Sequence, residues 1–321
     1  MQKTAFITGI SGQDGSYLAE YLISLDYKVT GIVRRHSVAE NQDYRLSSIS
    51  NIEVVYGDVL DQSSLQSALI YFKPDEIYNL AAQSHVRISS ELPHFTTQVN
   101  ALGALNMLHS FKTISPESRY YQASSSEMFG QNIDPDGFQR ETTKMNPVSP
   151  YGCAKLYAFN MTCHYRNAYG LHATNGILFN HESPRRGSNF VSNKIVRGAI
   201  LIKKGKIKKL ELGNLDSFRD WGHSYDYVRA MHLIINSEKP SDYVVATGES
   251  HSVREFCDYV FTKLNLNYQD FVIQNPKYMR PEELKALKGD SNLIREKLGW
   301  KPKYSFEKLL DELIEYWQSR L

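Results

Sequence analysis

The sequence predicts an α/β protein with a doubly wound parallel sheet, followed by a smaller C-terminal lobe. Three observations predict it: short apolar runs alternate with longer amphipathic segments, a glycine-rich turn follows the first run, and the alternation stops after Phe179. A chain of 321 residues, 41% hydrophobic and 22% charged, suffices for such a fold. We therefore predict a sheet domain at residues 1–180 and a mainly substrate-binding lobe at residues 181–321, with some chain returning to the sheet.

Six apolar runs are typical of strands covered on both faces, because they are nearly continuous rather than alternating. They occupy residues 4–8, 28–33, 52–56, 76–80, 118–123 and 172–178. Residues 15–25 and 95–111 carry apolar side chains at helical spacing and predict helices between strands. Right-handed crossovers then give a parallel sheet. Further helices are predicted in the C-terminal lobe over residues 193–203, 226–236 and 252–263.

Composition limits the partners of this chain. Its 37 basic and 35 acidic residues give a net charge of +2, so no overall field attracts nucleic acid or an anionic membrane. Its 3 cysteines match neither a disulfide framework nor a zinc site, which favours a reducing cytoplasm. The N-terminal apolar run is too short for a signal peptide, and no window reaches the length of a transmembrane helix. We expect a cytoplasmic protein with no membrane, nucleic-acid or metal partner.

A glycine turn joins the first predicted strand to the first predicted helix. Gly9, Gly12 and Gly15 follow the pattern G-x-x-G-x-x-G, with Gln13 and Asp14 inside it. Glycine lets a backbone approach a ligand closely, and the free N–H groups of a helix N-terminus favour a pyrophosphate. A tight turn alone would also use glycine, but the position after the first strand predicts a dinucleotide-binding, Rossmann-type domain.

The next strand ends indicate which dinucleotide binds. Arg34 and Arg35 follow the second strand, where an acidic residue would bind the ribose hydroxyl of NAD, and their guanidinium groups suit the 2′-phosphate of NADP. Asp58, after the third strand, can accept from the adenine amino group or cap a helix, and both interpretations stay open. Small residues at the end of the fourth strand would let a dinucleotide lie against the sheet edge, and core packing explains them equally well. The remaining candidates along this edge are Val59, Leu80, Ala81 and Ala82.

Tyr151 and Lys155 are four residues apart in a segment that Ser149 can cap and Pro150 can begin. This spacing places both side chains on one face of a helix. A nearby ammonium lowers the pKa of a phenol, so we expect Tyr151 to act as a base near neutral pH.

A serine-rich segment ending in Glu127 follows the fifth strand, at the sheet edge where such folds bind ligands. A serine hydroxyl there can share a proton with Tyr151, although serines at strand ends are commonly caps. A carboxylate beside a redox site is costly to desolvate unless it is used, which favours a chemical role for Glu127 over a solvent-facing turn.

Together these motifs resemble the extended short-chain dehydrogenase/reductases that modify nucleotide sugars. Longer strings at residues 176–187, 219–223 and 280–300 are similar to those of the GDP-mannose 4,6-dehydratase family, and the resemblance runs from Lys3 to about Lys303. It implies a lyase of nucleotide-sugar metabolism that converts GDP-mannose to GDP-4-keto-6-deoxymannose and water, a step toward GDP-fucose or GDP-rhamnose. Hydride would pass from C4 to C6 through bound NADP.

The resemblance also implies roles for individual residues. Ser125 matches the catalytic Ser or Thr, Glu127 the acid/base, Tyr151 the base and Lys155 its partner, and the first three would face the sugar. The positions implied to hold NADP are Gly9, Gly12, Gly15, Arg34, Arg35, Asp58, Ala82, Ser84, His181 and Arg186. The positions implied to line the GDP-sugar are Ser84, Asn180, Val191, Lys194, Arg219, Arg280 and Glu283. The positive charges of Lys194, Arg219 and Arg280 can neutralise a diphosphate.

Some features depart from the family and leave alternatives. Residues 36–51 form a shorter loop than in many members, and this loop helps bind the neighbouring subunit's cofactor in the family's tetramers, so a homodimer and a homotetramer are both expected possibilities. Phe95 stands where tyrosine is common. The alternative functions are a GDP-manno-heptose dehydratase, a nucleotide-sugar epimerase or 4-ketoreductase, and an NADP-binding regulator without turnover.

Overall fold

The computed structural model describes residues 2–35 and 45–321. Its strands there are β1 (Thr4–Thr8), β2 (Lys28–Val33), β3 (Ile52–Tyr56), β4 (Glu76–Asn79), β5 (Arg119–Ser125), β6 (Ala173–Leu178), β7 (Asn180–Glu182), β8 (Leu210–Leu212), β9 (Phe218–Arg219), β10 (Trp221–His223), β11 (Asp242–Val245), β12 (His251–Ser252) and β13 (Val272–Gln274). Its α-helices there are α1 (Gln13–Ser24), α2 (Gln62–Phe72), α3 (Val86–Glu91), α4 (Pro93–Thr97), α5 (Gly103–Ile114), α6 (Pro150–Tyr169), α7 (Val191–Lys203), α8 (Ser224–Ile235), α9 (Val253–Lys263), α10 (Asn292–Leu298) and α11 (Phe306–Gln318).

Seven strands form one parallel sheet in the order β11-β6-β5-β4-β1-β2-β3. The chain starts at β1, adds β2 and β3 on one side, and then adds β4, β5 and β6 on the other. This order confirms the doubly wound prediction. It also creates a switch point between β1 and β4, where ligands bind at the carboxyl ends of the strands in such sheets.

All six predicted strands are present, with ends that differ by at most two residues from the predicted ones. The seventh strand, β11, was not predicted, and it pairs with β6 at the edge of the sheet. The helix predicted over residues 95–111 is interrupted, because a π-helical turn at Gln98–Leu102 separates α4 from α5.

Helices cover both faces of the sheet. On one face α1 and α8 pack together around Leu18, Leu22 and Met231, and on the other α2 and α5 pack around Leu69 and Leu108. We predicted the segment of α8 in the C-terminal lobe, but α8 contacts α1 and the sheet. It returns to the sheet with β11, because its apolar side chains face the same core as those of α1.

A second core lies in the C-terminal part of the chain, where α7, α9 and α11 pack around Trp221 and Phe256. Among the described residues, no helix is both long and apolar enough to cross a membrane. Nor do the described residues bring together three or more His, Cys, Asp or Glu side chains that could hold a metal ion.

Candidate functional site

A cavity of about 670 Å³ opens at the carboxyl ends of β4, β5 and β6, between the sheet and the C-terminal core. It brings together predicted residues from both halves of the chain. Those lining it are Asp14, Leu80, Ala82, Ser84, Ser125, Glu127, Tyr151, Lys155, Asn180, His181, Arg186, Val191, Lys194, Arg219, Arg280 and Glu283. A second hollow beside β2 and β3 is lined by Arg34, Arg35, Tyr56, Gly57, Asp58, Asp61 and Ser64.

The glycine turn at the end of β1 is closely packed. Gly9 has φ +69°, in the left-handed region, and its carbonyl accepts from the Gly12 N–H at 2.9 Å. A Cβ on Gly15 would lie 2.3 Å from the Gly9 oxygen, and one on Gly9 would lie 2.9 Å from the backbone of Ala81. Glycine is therefore required at both positions. The resulting turn brings the N-terminus of α1 to the sheet edge, an arrangement that fits a pyrophosphate.

The side chains of Gln13 and Asp14 bind protein groups on the neighbouring strand. Gln13 donates to the His181 carbonyl at 3.2 Å and accepts from the Ser183 hydroxyl at 2.9 Å. One carboxylate oxygen of Asp14 contacts His181 Nε2 at 2.8 Å, and the other accepts from the Ser224 hydroxyl at 3.1 Å. These contacts fasten the glycine turn to β7 and α8.

Asp14 and His181 form a partly buried ion pair. His181 Nδ1 lies 2.7 Å from the Phe179 carbonyl, which can only accept, so Nδ1 carries a proton while Nε2 faces the Asp14 carboxylate. Burial opposes both charges, but the His181 and Arg186 charges hold the pKa of Asp14 at about 2. Asp14 in turn raises the pKa of His181 above its usual value, against burial.

Arg35 and Asp58 lie in the second hollow. The Arg35 guanidinium is 5.7 Å from the ring centroid of Tyr56. Asp58 accepts from the Leu60 N–H at 2.9 Å, whereas Asp61 caps α2. The interpretation of Asp58 as a helix cap is therefore wrong, because α2 begins at Gln62 and its N-cap is Asp61.

Two other candidates along the cofactor edge are covered by the protein. Val59 is buried in the core beneath α5, and a Cβ on Gly103 would lie 2.8 Å from its side chain. Ala81 packs against Gly9, and its N–H donates to the Thr8 hydroxyl at 3.1 Å, as does that of Leu80.

Helix α6 positions Tyr151 and Lys155. It begins as the sequence predicts, with Pro150 in the first turn and the Ser149 hydroxyl accepting from the Gly152 N–H at 3.1 Å. Lys155 Nζ donates to the Ala123 carbonyl at 2.9 Å and lies 5.8 Å from the ring centroid of Tyr151. Burial lowers the pKa of Lys155 to about 8, although the charge of Asp14 opposes this.

The acidity of Tyr151 differs from our expectation. Burial raises its pKa to about 12; a hydrogen bond with Ser125 lowers it, and the Glu127 charge raises it further. Burial, rather than the Lys155 ammonium, dominates the pKa of Tyr151 in this structure, because desolvation disfavours the phenolate.

Glu127 lies one turn beyond β5, and the Ser125 hydroxyl accepts from its N–H at 3.2 Å. Its Oε1 accepts from Arg280 Nη1 at 3.0 Å, and its buried Oε2 has no hydrogen-bond partner among the residues described. Glu283 Oε1 lies 3.7 Å from Arg280 Nε and 2.9 Å from Arg219 Nη2. Both guanidinium groups assigned to the diphosphate are thus already paired with carboxylates.

The cavity also contains residues that the sequence did not single out. His85, Arg87 and Tyr278 line it, and Lys194 Nζ lies 3.5 Å from the Tyr278 ring centroid. His85 and Arg87 follow Ser84 directly, so their position after a strand end was a usable signal. Tyr278 comes from a distant loop and carried none.

Comparison with known proteins identifies relatives along the whole chain. A family model described as GDP-mannose 4,6 dehydratase matches residues 6–313. The chain is 49% identical to GDP-mannose 4,6 dehydratase 1 of Arabidopsis thaliana, over 98% of this chain and 89% of that protein. It is 43% identical to GDP-mannose 4,6 dehydratase of Homo sapiens, over 98% of this chain and 91% of that protein.

Solved structures share the fold at lower identity. A dTDP-glucose 4,6-dehydratase from Bacillus anthracis in complex with NAD is 21% identical, with a TM-score of 0.85 over 99% of this chain and 97% of that one. RMD from Pseudomonas aeruginosa complexed with NADPH is 24% identical, with a TM-score of 0.82 over 100% of this chain and 99% of that one.

Proposed function

This chain belongs to the GDP-mannose 4,6-dehydratase family, and from that premise we propose that it converts GDP-mannose to GDP-4-keto-6-deoxymannose and water. One observation of this chain's own structure supports the proposal independently of its relatives. The cavity that contains Tyr151 and Lys155 also contains a buried carboxylate, Glu127, with one oxygen that has no partner among the described residues. Oxidation and reduction of a sugar hydroxyl need a single acid/base pair, whereas loss of water needs a further proton carrier.

We propose NADP as the cofactor. The glycine turn, with no room for a Cβ on Gly9 or Gly15, fits a pyrophosphate, and the hollow beside β2 offers Arg34 and Arg35 to a 2′-phosphate. When bound, the nicotinamide supplies the acceptor for hydride from sugar C4 and the donor of hydride to C6. Asp58 and Ala82 would line the site at its two ends.

Tyr151, Ser125 and Lys155 would handle the proton of the C4 hydroxyl. Tyr151 is the residue assigned to take this proton, but its pKa of about 12 keeps it neutral unless another group shares the charge. Ser125 hydrogen-bonds to the phenol, and Lys155 has a pKa of about 8. Ser125 and Lys155 are therefore the groups placed to assist Tyr151 in this proton transfer.

Glu127 would carry the second proton. As a carboxylate it takes the proton from C5, which the neighbouring C4 ketone makes acidic. The same proton then passes to the C6 hydroxyl, the C6–O bond breaks, and water leaves. Glu127 returns to the carboxylate form, and the proton taken from the C4 hydroxyl is returned to C5 when hydride adds to C6, so the protons balance over one turnover.

The test is to incubate the purified protein with GDP-mannose and a catalytic amount of NADP, and to follow the product by NMR and mass spectrometry. We expect the loss of one water with no net NADPH, and less product when NAD replaces NADP. The Glu127→Gln variant should bind NADP and form no dehydrated product. Unchanged GDP-mannose in the presence of bound NADP would refute the proposal, and conversion of GDP-manno-heptose alone would reassign the substrate.

Assembly and location remain predictions from the sequence. We propose a cytoplasmic homodimer or homotetramer. The choice between dimer and tetramer depends on the loop at residues 36–51. Residues 36–44 of this loop lie outside the described part of the chain. Sedimentation velocity of the NADP-bound protein would distinguish the two forms.

A further inference from the structure

The contact between Glu127 and Arg280 joins residues that are 153 positions apart in the chain. Arg280 Nη1 donates to Glu127 Oε1 at 3.0 Å, and the two side chains are 25% and 8% exposed. Arg280 was assigned to the substrate only. In the structure it holds the carboxylate to which the dehydration chemistry is assigned.

This contact makes the two oxygens of Glu127 different. A guanidinium offers only donors, so the oxygen facing it is held as an acceptor and is the less basic of the two, which favours protonation of the other oxygen. Oε1 accepts from Arg280, so a proton on Glu127 is favoured on Oε2, which is buried without a partner among the described residues. One oxygen would then both collect the C5 proton and deliver it to the C6 hydroxyl.

Arg280 is itself fixed from its other edge. Its Nε lies 3.7 Å from Glu283 Oε1, and Arg219 Nη2 holds the same Glu283 oxygen at 2.9 Å. The 3.7 Å contact is an ion pair rather than a hydrogen bond, so Glu283 attracts the guanidinium while the 3.0 Å bond to Glu127 gives the contact its geometry.

We propose that Arg280 is a positioning residue for Glu127, and that it directs both proton transfers of the dehydration to Oε2. The inference rests on the proposed function. This role of Arg280 differs from simple recognition of a diphosphate. Loss of diphosphate recognition would change substrate affinity but leave the steps after C4 oxidation intact.

The experiment compares three variants with the wild-type protein, each loaded with NADP and mixed with saturating GDP-mannose. Arg280→Gln removes the positive charge and the paired N–H donors of the guanidinium group. Glu127→Gln removes the acid/base itself, and Lys194→Gln is the matched control. Lys194 lines the same cavity and contacts Tyr278, and no hydrogen bond or ion pair joins it to Glu127 among the described residues. Bound NADPH is followed at 340 nm in a single turnover, product is followed by NMR, and NADP binding is checked by fluorescence.

We expect Arg280→Gln to lower kcat by about 10²-fold, the size of a lost general acid/base, and to accumulate bound NADPH as Glu127→Gln does. Lys194→Gln should raise KM for GDP-mannose without accumulating NADPH. Arg280→Lys keeps the positive charge but not the paired N–H donors of the guanidinium group, so it should recover only part of the rate that Arg280→Gln loses.

Two outcomes would overturn the inference. In one, Arg280→Gln behaves like the Lys194 variant, with a raised KM, a kcat within about twofold and no NADPH. In the other, it forms no NADPH although NADP and GDP-mannose bind, which would place its role before dehydration. A wild-type protein that leaves GDP-mannose unchanged would instead refute the proposed function, and the inference with it.

Discussion

Replacing Lys155 with methionine is expected to stabilise the protein at pH 7 while it removes activity. Lys155 is 4% exposed, and burial lowers its pKa from 10.5 to about 8. A shift of this size means that the charged form costs about 3 kcal/mol in the folded state. Methionine has a similar length and leaves little cavity, and the lost hydrogen bond to Ala123 offsets about 1 kcal/mol. We expect a gain of about 2 kcal/mol in the free energy of unfolding.

The gain should depend on pH with a definite sign. Between pH 8 and pH 10.5 the unfolded chain keeps its proton on Lys155 while the folded protein has lost it. Wild-type stability attributable to this residue therefore rises with pH across that window. The advantage of the Lys155→Met variant is complete below about pH 8 and shrinks toward pH 10.5.

Urea unfolding of both proteins at pH 7 and pH 10 measures this effect. The difference between the two proteins cancels groups that ionise in both, such as the buried tyrosines. The exposed Lys204 supplies a matched control, since Lys204→Met should change stability by less than about 0.5 kcal/mol at either pH. A Lys155→Met protein that is less stable than wild type by the same amount at both pH values would refute the reasoning.

Three further outcomes follow from the structure. Tyr151→Phe removes only the phenolic hydroxyl, so we expect about a 10²-fold or larger loss of kcat with NADP binding retained by fluorescence titration; near-normal turnover would contradict this. Gly15→Ala places a Cβ 2.3 Å from the Gly9 oxygen, so NADP affinity and Tm should both fall, and an unchanged affinity would contradict the role of the turn. Asp242→Ala leaves the Arg166 guanidinium without its carboxylate at 2.7 Å and should cost about 3 kcal/mol in urea unfolding, whereas a change below 0.5 would show a weak pair.

Much of the fold could be predicted, because central parallel strands are covered on both faces and therefore read as continuous apolar runs. Strand β11 could not be predicted. It has four residues, begins with Asp242, and follows its neighbour β6 only after more than sixty residues, which contain two helices and four short strands. The partner of Asp242 is Arg166 on α6, and such a pairing between distant elements leaves no local pattern.

Site residues were predictable where one short segment carries the chemistry. The glycine turn and the Tyr151/Lys155 pair each lie within a single strand end or helix turn, so spacing alone places their members together. The acidity of Tyr151 was not predictable in this way. It depends on burial, which the whole fold determines, and burial raises its pKa.

The pairing of charged residues in the cavity also depends on distant parts of the chain, and it affects how a substrate binds. The glycine turn and the family resemblance place Asp14, Arg219 and Arg280 one by one at a ligand, yet the structure pairs each with another protein group. A diphosphate entering this cavity must therefore compete with carboxylates for guanidinium groups. Electrostatic attraction then contributes less to affinity than the number of cations suggests, and it favours an anion able to take several guanidinium donors at once. Because Arg280 also holds Glu127, that competition connects substrate recognition with the placement of the acid/base.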